Sequence, residues 1–96
     1  MIIKVGERIT ELRNKNNLTQ HALARELGVS RSSVNAWEMG ISTPSVERIV
    51  DISNYFHVTV DYLLGLDDKL SIDISSLSEE AKVAILKVIE IFLEKK

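Results

Sequence analysis

Very few side chains in this 96-residue sequence are equipped for covalent chemistry, whereas one short run of them is equipped for directed hydrogen bonding. Cysteine is absent, which removes disulfides, thiolate metal ligands and cysteine nucleophiles together. His21 and His57 are the only histidines and stand far apart in the chain. A metal site needs more ligands than they supply, so both are expected at the surface, with no metal and no cofactor bound. Asp67-Asp68 reads as a solvated pair in a linker, not as a carboxylate dyad. There is no nucleophile–base motif, no glycine-rich phosphate loop and no metal-ligand cluster, so no catalytic residue is nominated and no enzyme is expected. Arg31, Ser32, Asn35 and Ala36 are different. They follow Ser30 at helical spacing, and Arg and Asn can each pair two polar atoms with a base edge, Arg with guanine and Asn with adenine.

Helices must hold such groups in place, and helical periodicity dominates the sequence. A first helix, Val5 to Lys15, carries Val5, Ile9 and Leu12 on one face and breaks at Asn14-Lys15-Asn16-Asn17. A second opens at Thr19, whose hydroxyl can accept a backbone N–H, buries Ala22, Leu23 and Leu27, and stops at Gly28. Ser30 caps a third, which starts at Arg31 and runs to about Met39, ended by Gly40. The turn Ser42-Thr43-Pro44-Ser45 leads into a fourth, with Pro44 suited to its first position and Val46, Ile49, Val50 and Ile52 directed inward as far as about Tyr55. Thr59 caps a short fifth helix, Val60 to Leu64, closed by Gly65.

The second and third helices meet at Gly28-Val29-Ser30, the tight turn of a helix-turn-helix. Ala24 is small where the helices cross, and Val29 plugs the corner. Val34 and Trp37, three residues apart, anchor the underside of the third helix, so Trp37 is expected in the core and not stacked on a base. Arg31, Ser32, Asn35 and Ala36 are left on a face free to enter a major groove.

The segment Leu18 to Glu38, LTQHALARELGVSRSSVNAWE, resembles the Cro/phage-repressor (XRE-like) helix-turn-helix family, and the likeness spans residues 5–66. It is carried by Leu18-Thr19-Gln20, Leu23-Ala24, Gly28-Val29-Ser30, Trp37-Glu38 with Gly40, Pro44-Ser45, and Val60-Asp61-Tyr62-Leu63-Leu64. The resemblance implies an all-α, five-helix, lambda-repressor-like domain that binds double-stranded operator DNA, usually as a two-fold dimer. It implies a transcription regulator of bacterial or phage type, acting in the cytoplasm and repressing by default. Gln20 matches the glutamine that contacts phosphate and braces the recognition helix. Arg31 and Ser32 match the positions that most often read base edges, followed by Ser33, Asn35 and Ala36. Thr19, Met39 and the stretch Ser42 to Ser45, Thr43 included, match positions near the DNA backbone. Arg13 and Glu38 match positions that often form a partly buried ion pair between the first and third helices. Ile41, Ser42 and Thr43 depart from the family by standing where Lys or Arg is common, so phosphate contact there falls to hydroxyls and backbone N–H groups.

The formal net charge of −2 argues mildly against a nucleic-acid partner, because phosphate neutralisation needs cations. Its distribution weakens that objection. Residues 1–66 carry seven basic and seven acidic side chains, and residues 67–96 carry five and seven, which supplies the whole excess. Arg13, Lys15, Arg25 and Arg31 lie in or beside the segment proposed to face DNA. The short, polar N-terminus is not expected to be a signal peptide, and no run approaches the roughly 18 apolar residues of a membrane span.

The remaining chain divides into a polar linker, 67–76, and a C-terminal helix, 77–96. Ile72 and Ile74 in the linker are candidates to pack back on the domain. Ser78-Glu79-Glu80 opens the helix and Lys95-Lys96 closes it, an order that suits the helix dipole. Apolar residues cover most of its cylinder, and such a helix needs burial on more than one side. One side can dock through Ile74 and Leu77; the other, with Ile85, Val88, Ile89, Phe92 and Leu93, is expected to bind a second copy. The alternative is an interaction module, an antitoxin or anti-regulator whose C-terminal helix grips a toxin or antagonist protein.

Overall fold

The computed structural model describes residues 4–67 and 75–94, and every element in them is a helix: α1 (Val5–Lys15), α2 (Gln20–Leu27), α3 (Arg31–Glu38), α4 (Val46–Phe56), α5 (Val60–Leu64) and α6 (Glu79–Glu94). Hydroxyl caps set most of the starts. Thr19, Ser30, Ser45 and Thr59 sit in extended backbone and accept the N–H of Ala22, Ser33, Arg48 and Tyr62 at 3.0, 3.1, 3.3 and 3.0 Å. Each bond satisfies an N–H that the first turn leaves without an intrahelical partner. Ser78 does the same for Ala81 at 3.2 Å. Between α2 and α3 the chain turns at Gly28, whose φ of 71° is left-handed and would strain any residue with a Cβ.

Five helices enclose the core. Ile9, Leu23, Val34, Ile52 and Leu63, one from each of α1 to α5, are fully buried. At about 1.5–3 kcal/mol for each large aliphatic side chain removed from water, this cluster is the main force holding the five short helices together. α3 packs on α2 and α1, and α5 packs on α1 and α4. The contact of α1 with α3 depends on Gly6, where a Cβ would stand 2.4 Å from the carbonyl oxygen of Trp37. Only a residue without a side chain lets the two backbones approach so closely.

Three inward assignments, Ala22, Val46 and Val50, and the place given to Pro44 need correction. Ala22 is only half-buried, and α2 fills the core with Leu23, Ala24 and Leu27. Pro44 does not open α4: it is buried in the preceding turn, Ser45 is the cap, and the helix begins at Val46. That start rotates α4 so that Ile49, Ile52 and Ser53 face inward while Val46 and Val50 are 79% and 43% exposed. Val50 lies about 100° round the helix from Ile49, and Val46 sits in the first turn, outside the core.

The expectations for Ile72, Ile74, Lys95 and Lys96 lie outside the described residues. Leu77 is exposed, and α6 buries none of its residues. Among the described residues no helix is long and apolar enough to cross a membrane.

Candidate nucleic-acid interface

α3 shows one face to the core and another to solvent. Val34 and Trp37 hold its underside, both buried, which places Trp37 in the packing. On the outer side Arg31, Ser32 and Asn35 are exposed, while Ser33 and Ala36 are half-buried at the edges. The hydroxyls of the first turn are tied together: Ser30 Oγ lies 3.1 Å from Ser32 Oγ and 2.9 Å from Ser33 Oγ. Arg31, the first residue of α3, projects from this turn and meets no acceptor among the described residues.

A polar chain behind the exposed face fixes how α3 stands. Arg13 on α1 donates twice to the Glu38 carboxylate, Nε to Oε2 at 2.6 Å and Nη2 to Oε1 at 3.0 Å, and its Nη1 donates to the Leu18 carbonyl at 2.9 Å. The side chains are 15% and 6% exposed, so the pair is largely shielded from water. Burial by itself would raise the Glu38 pKa. Hydrogen bonds from Arg13 and Gln20, with the charge of Arg13, outweigh it and hold the carboxyl below its ordinary value of 4.5. The same hydrogen bond raises the Arg13 guanidinium above its usual range. Gln20, the first residue of α2, donates from Nε2 to Glu38 Oε1 and to Asn35 Oδ1, each at 3.1 Å. Three helices therefore converge on one carboxylate.

The other candidates border this face or lie away from it. Thr19 is exposed, and its hydroxyl is occupied as the α2 cap. Ser42 and Thr43 are exposed in the loop after α3, and the Ala36 carbonyl secures that loop by accepting the N–H groups of Ile41 and Ser42 at 2.9 and 3.3 Å. Ile85, Val88, Ile89, Phe92 and Leu93 are all exposed on α6 and do not join the α2–α3 face. His21 and His57 are both exposed. Among the described residues no group of three or more His, Cys, Asp or Glu could hold a metal ion.

Sequence reasoning missed three contributors. Gly6 sets the spacing of α1 and α3, signalled only by a glycine in a helix with no turn to make. Thr10 reinforces that region by donating to the Gly6 carbonyl at 2.9 Å. Arg48 on α4 donates to the Leu27 carbonyl at 3.1 Å and so secures the end of α2; a lone arginine on an exposed face gives no warning of this.

A short helix, a glycine turn and a second short helix with a polar outer face, set in a five-helix bundle, define a helix-turn-helix domain. The helix-turn-helix family model matches residues 9–63, and the chain belongs to this family, in its Cro/phage-repressor (XRE-like) branch, a group of DNA-binding regulators and not of enzymes. The transcriptional repressor RstR of a cryptic CTXphi phage in Vibrio cholerae is 31% identical over 99 residues, covering 95% of this chain and 88% of that protein. Antitoxin PezA of Streptococcus pneumoniae is 34% identical over 83 residues, covering 86% of this chain and 52% of its own length. In the crystal structure of the P22 c2 repressor with a synthetic operator, a 35% identical chain superposes with a TM-score of 0.62, covering 66% of this chain and 96% of that one. The chain spans between 34% and 55% of the length of four of the curated relatives it matches.

Proposed function

We propose that the protein is a sequence-specific regulator of transcription, a repressor, that binds double-stranded DNA in the cytoplasm through the outer face of α3. The observation that carries this reading is the division of α3 between a buried anchor, Val34 and Trp37, and an exposed row, Arg31, Ser32 and Asn35. Arg31 stands where its guanidinium can reach O6 and N7 of a guanine. Ser32, Ser33, Asn35 and Ala36 line the same groove wall. Thr19, Ser42 and Thr43 border it with hydroxyls and Gln20 with its backbone N–H, groups suited to phosphate oxygens. The 35% identical P22 c2 repressor was solved in complex with a synthetic operator, which supports DNA as the partner.

Two copies would present two α3 helices to successive major grooves about 34 Å apart, so the operator is a palindrome. The domain (1–66), the linker (67–76) and the C-terminal helix (77–96) then act as reader, tether and dimerisation element. Ile85, Val88, Ile89, Phe92 and Leu93, solvent-exposed in the single chain, would be covered in the dimer. The experiment is selection of bound duplexes from a random pool, followed by titration of the winner with the Arg31→Ala variant. A palindromic site is expected, with discrimination at one base pair per half-site weakened by roughly 1–3 kcal/mol. Unaltered discrimination by the variant would remove Arg31 from the readout.

A second reading is favoured by the likeness to antitoxin PezA together with the uncovered α6: the helix would bind a toxin or antagonist protein in place of a second copy. Light scattering on the purified chain separates the two. A stable dimer supports the first, and a monomer supports the second.

A further inference from the structure

Resting on the two-copy reading of α6, we infer that this helix carries a second self-contact, so that two dimers join in a four-helix bundle and the assembly holds two operator duplexes at once. Successive residues of an α-helix stand about 100° apart round its axis, so side chains at alternating steps of three and four stay on one line. α6 has two such lines side by side: Ile85, Val88 and Phe92 on one, Leu86, Ile89 and Leu93 on the other. All six are exposed in the single chain, and α6 buries no residue against α1–α5. The charges of Glu79, Glu80, Lys87, Glu90 and Glu94 fall on the remaining side, with Val83 among them.

A two-stranded pair closes one line and leaves the other in water. The two lines are offset by one residue, about 100° round the helix, close to the right angle between the two neighbours of a helix in a square bundle of four. Ile85 and Ile89 stand on the facing edges of the lines, about 40° apart, and point to the bundle axis; Val88 and Leu86 stand on the outer edges. A two-fold pair, which a palindromic operator requires, joins a line to its own copy. The other line then meets its own copy in a second pair, and the assembly closes at four chains. Lys82 takes the first position of the Leu86 line and lies 3.5 Å from Glu79, so the apolar part of that line begins one turn later. Four chains carry two DNA-reading pairs, which is what lets one assembly bridge two duplexes.

The test is sedimentation and light scattering of the full chain over a dilution series, beside Val88→Glu and Leu86→Glu, each checked for helicity. The wild type should reach the mass of four chains and fall to two on dilution. A charge on an outer edge opens one line only, so each variant should stop at two chains at every concentration. An immobilised duplex bearing the selected site should then retain a second, labelled copy of that duplex through the wild type and through neither variant. A wild-type mass of two chains at every concentration, a limit of three or six, a variant that still reaches four, or four chains that retain no second duplex would each overturn the inference. A wild-type dimer that binds one duplex leaves the repressor reading standing while this inference fails. A wild type that binds no duplex at all ends the repressor reading itself, which is a separate outcome.

Discussion

The Glu38 carboxylate joins α1, α2 and α3 through its two oxygens, so its charge governs how firmly the outer face of α3 is held. Its pKa in the folded protein lies below the ordinary 4.5. The folded state therefore binds this proton less readily than the unfolded chain, and the stabilisation is complete above 4.5 and lost as pH falls through the folded value. Urea unfolding at a series of acidic pH values should show this loss in the wild type and not in Glu38→Gln. Glu38→Ala leaves Arg13 shielded from water without its counter-charge and should cost about 3–5 kcal/mol at neutral pH. Gly6→Ala drives a methyl group against the Trp37 carbonyl and should cost about 1–3 kcal/mol by the same measurement. Little of this was legible in the residues themselves. Arg13 and Glu38 were paired only through a family resemblance, because 25 residues separate them. Gln20 and Asn35 share no local pattern, and only the folded α2–α3 corner brings them together.

At the scale of elements the sequence was more informative, because caps and turns are decided within four or five residues. Thr19, Ser30 and Thr59 cap the helices expected of them, and Gly28 and Gly65 close theirs in left-handed backbone. Ser30→Ala removes the acceptor for the Ser33 N–H and should cost about 1 kcal/mol of stability in denaturant titration. α4 was harder to read. Its apolar residues outnumber the positions on one face, and periodicity alone does not tell which of Val46, Ile49, Val50 and Ile52 turn inward. The Ser45 cap decides the register, and two of the four valines and isoleucines end outside the core.

For the whole molecule, the five-helix domain closes on itself and α6 does not. Phe92 is 73% exposed, and Leu86, Val88, Ile91 and Leu93 each expose more than half their surface. Apolar area of this extent on one helix has a large stabilisation to gain by association. Ile89→Asp should convert the expected dimer into a monomer by light scattering while the helical signal of the α1–α5 domain persists. If the mass is unchanged, dimerisation does not run through α6. The apolar cylinder of α6 was legible in the chain, whereas its exposure against α1–α5 was not, because periodicity does not tell what a helix packs on. DNA affinity should fall steeply with added salt in spite of the −2 net charge, because phosphate contact releases counterions wherever it occurs.

The most direct measurement follows the amide resonances of the isotopically labelled chain while the selected duplex is titrated in. The largest changes should fall on Arg31, Ser32 and Asn35, with smaller ones at Thr19, Gln20, Ser42 and Thr43, and a scrambled duplex should leave Arg31 and Asn35 little changed. Changes confined to α6, or spread evenly over the surface with both duplexes, would contradict a base-reading α3.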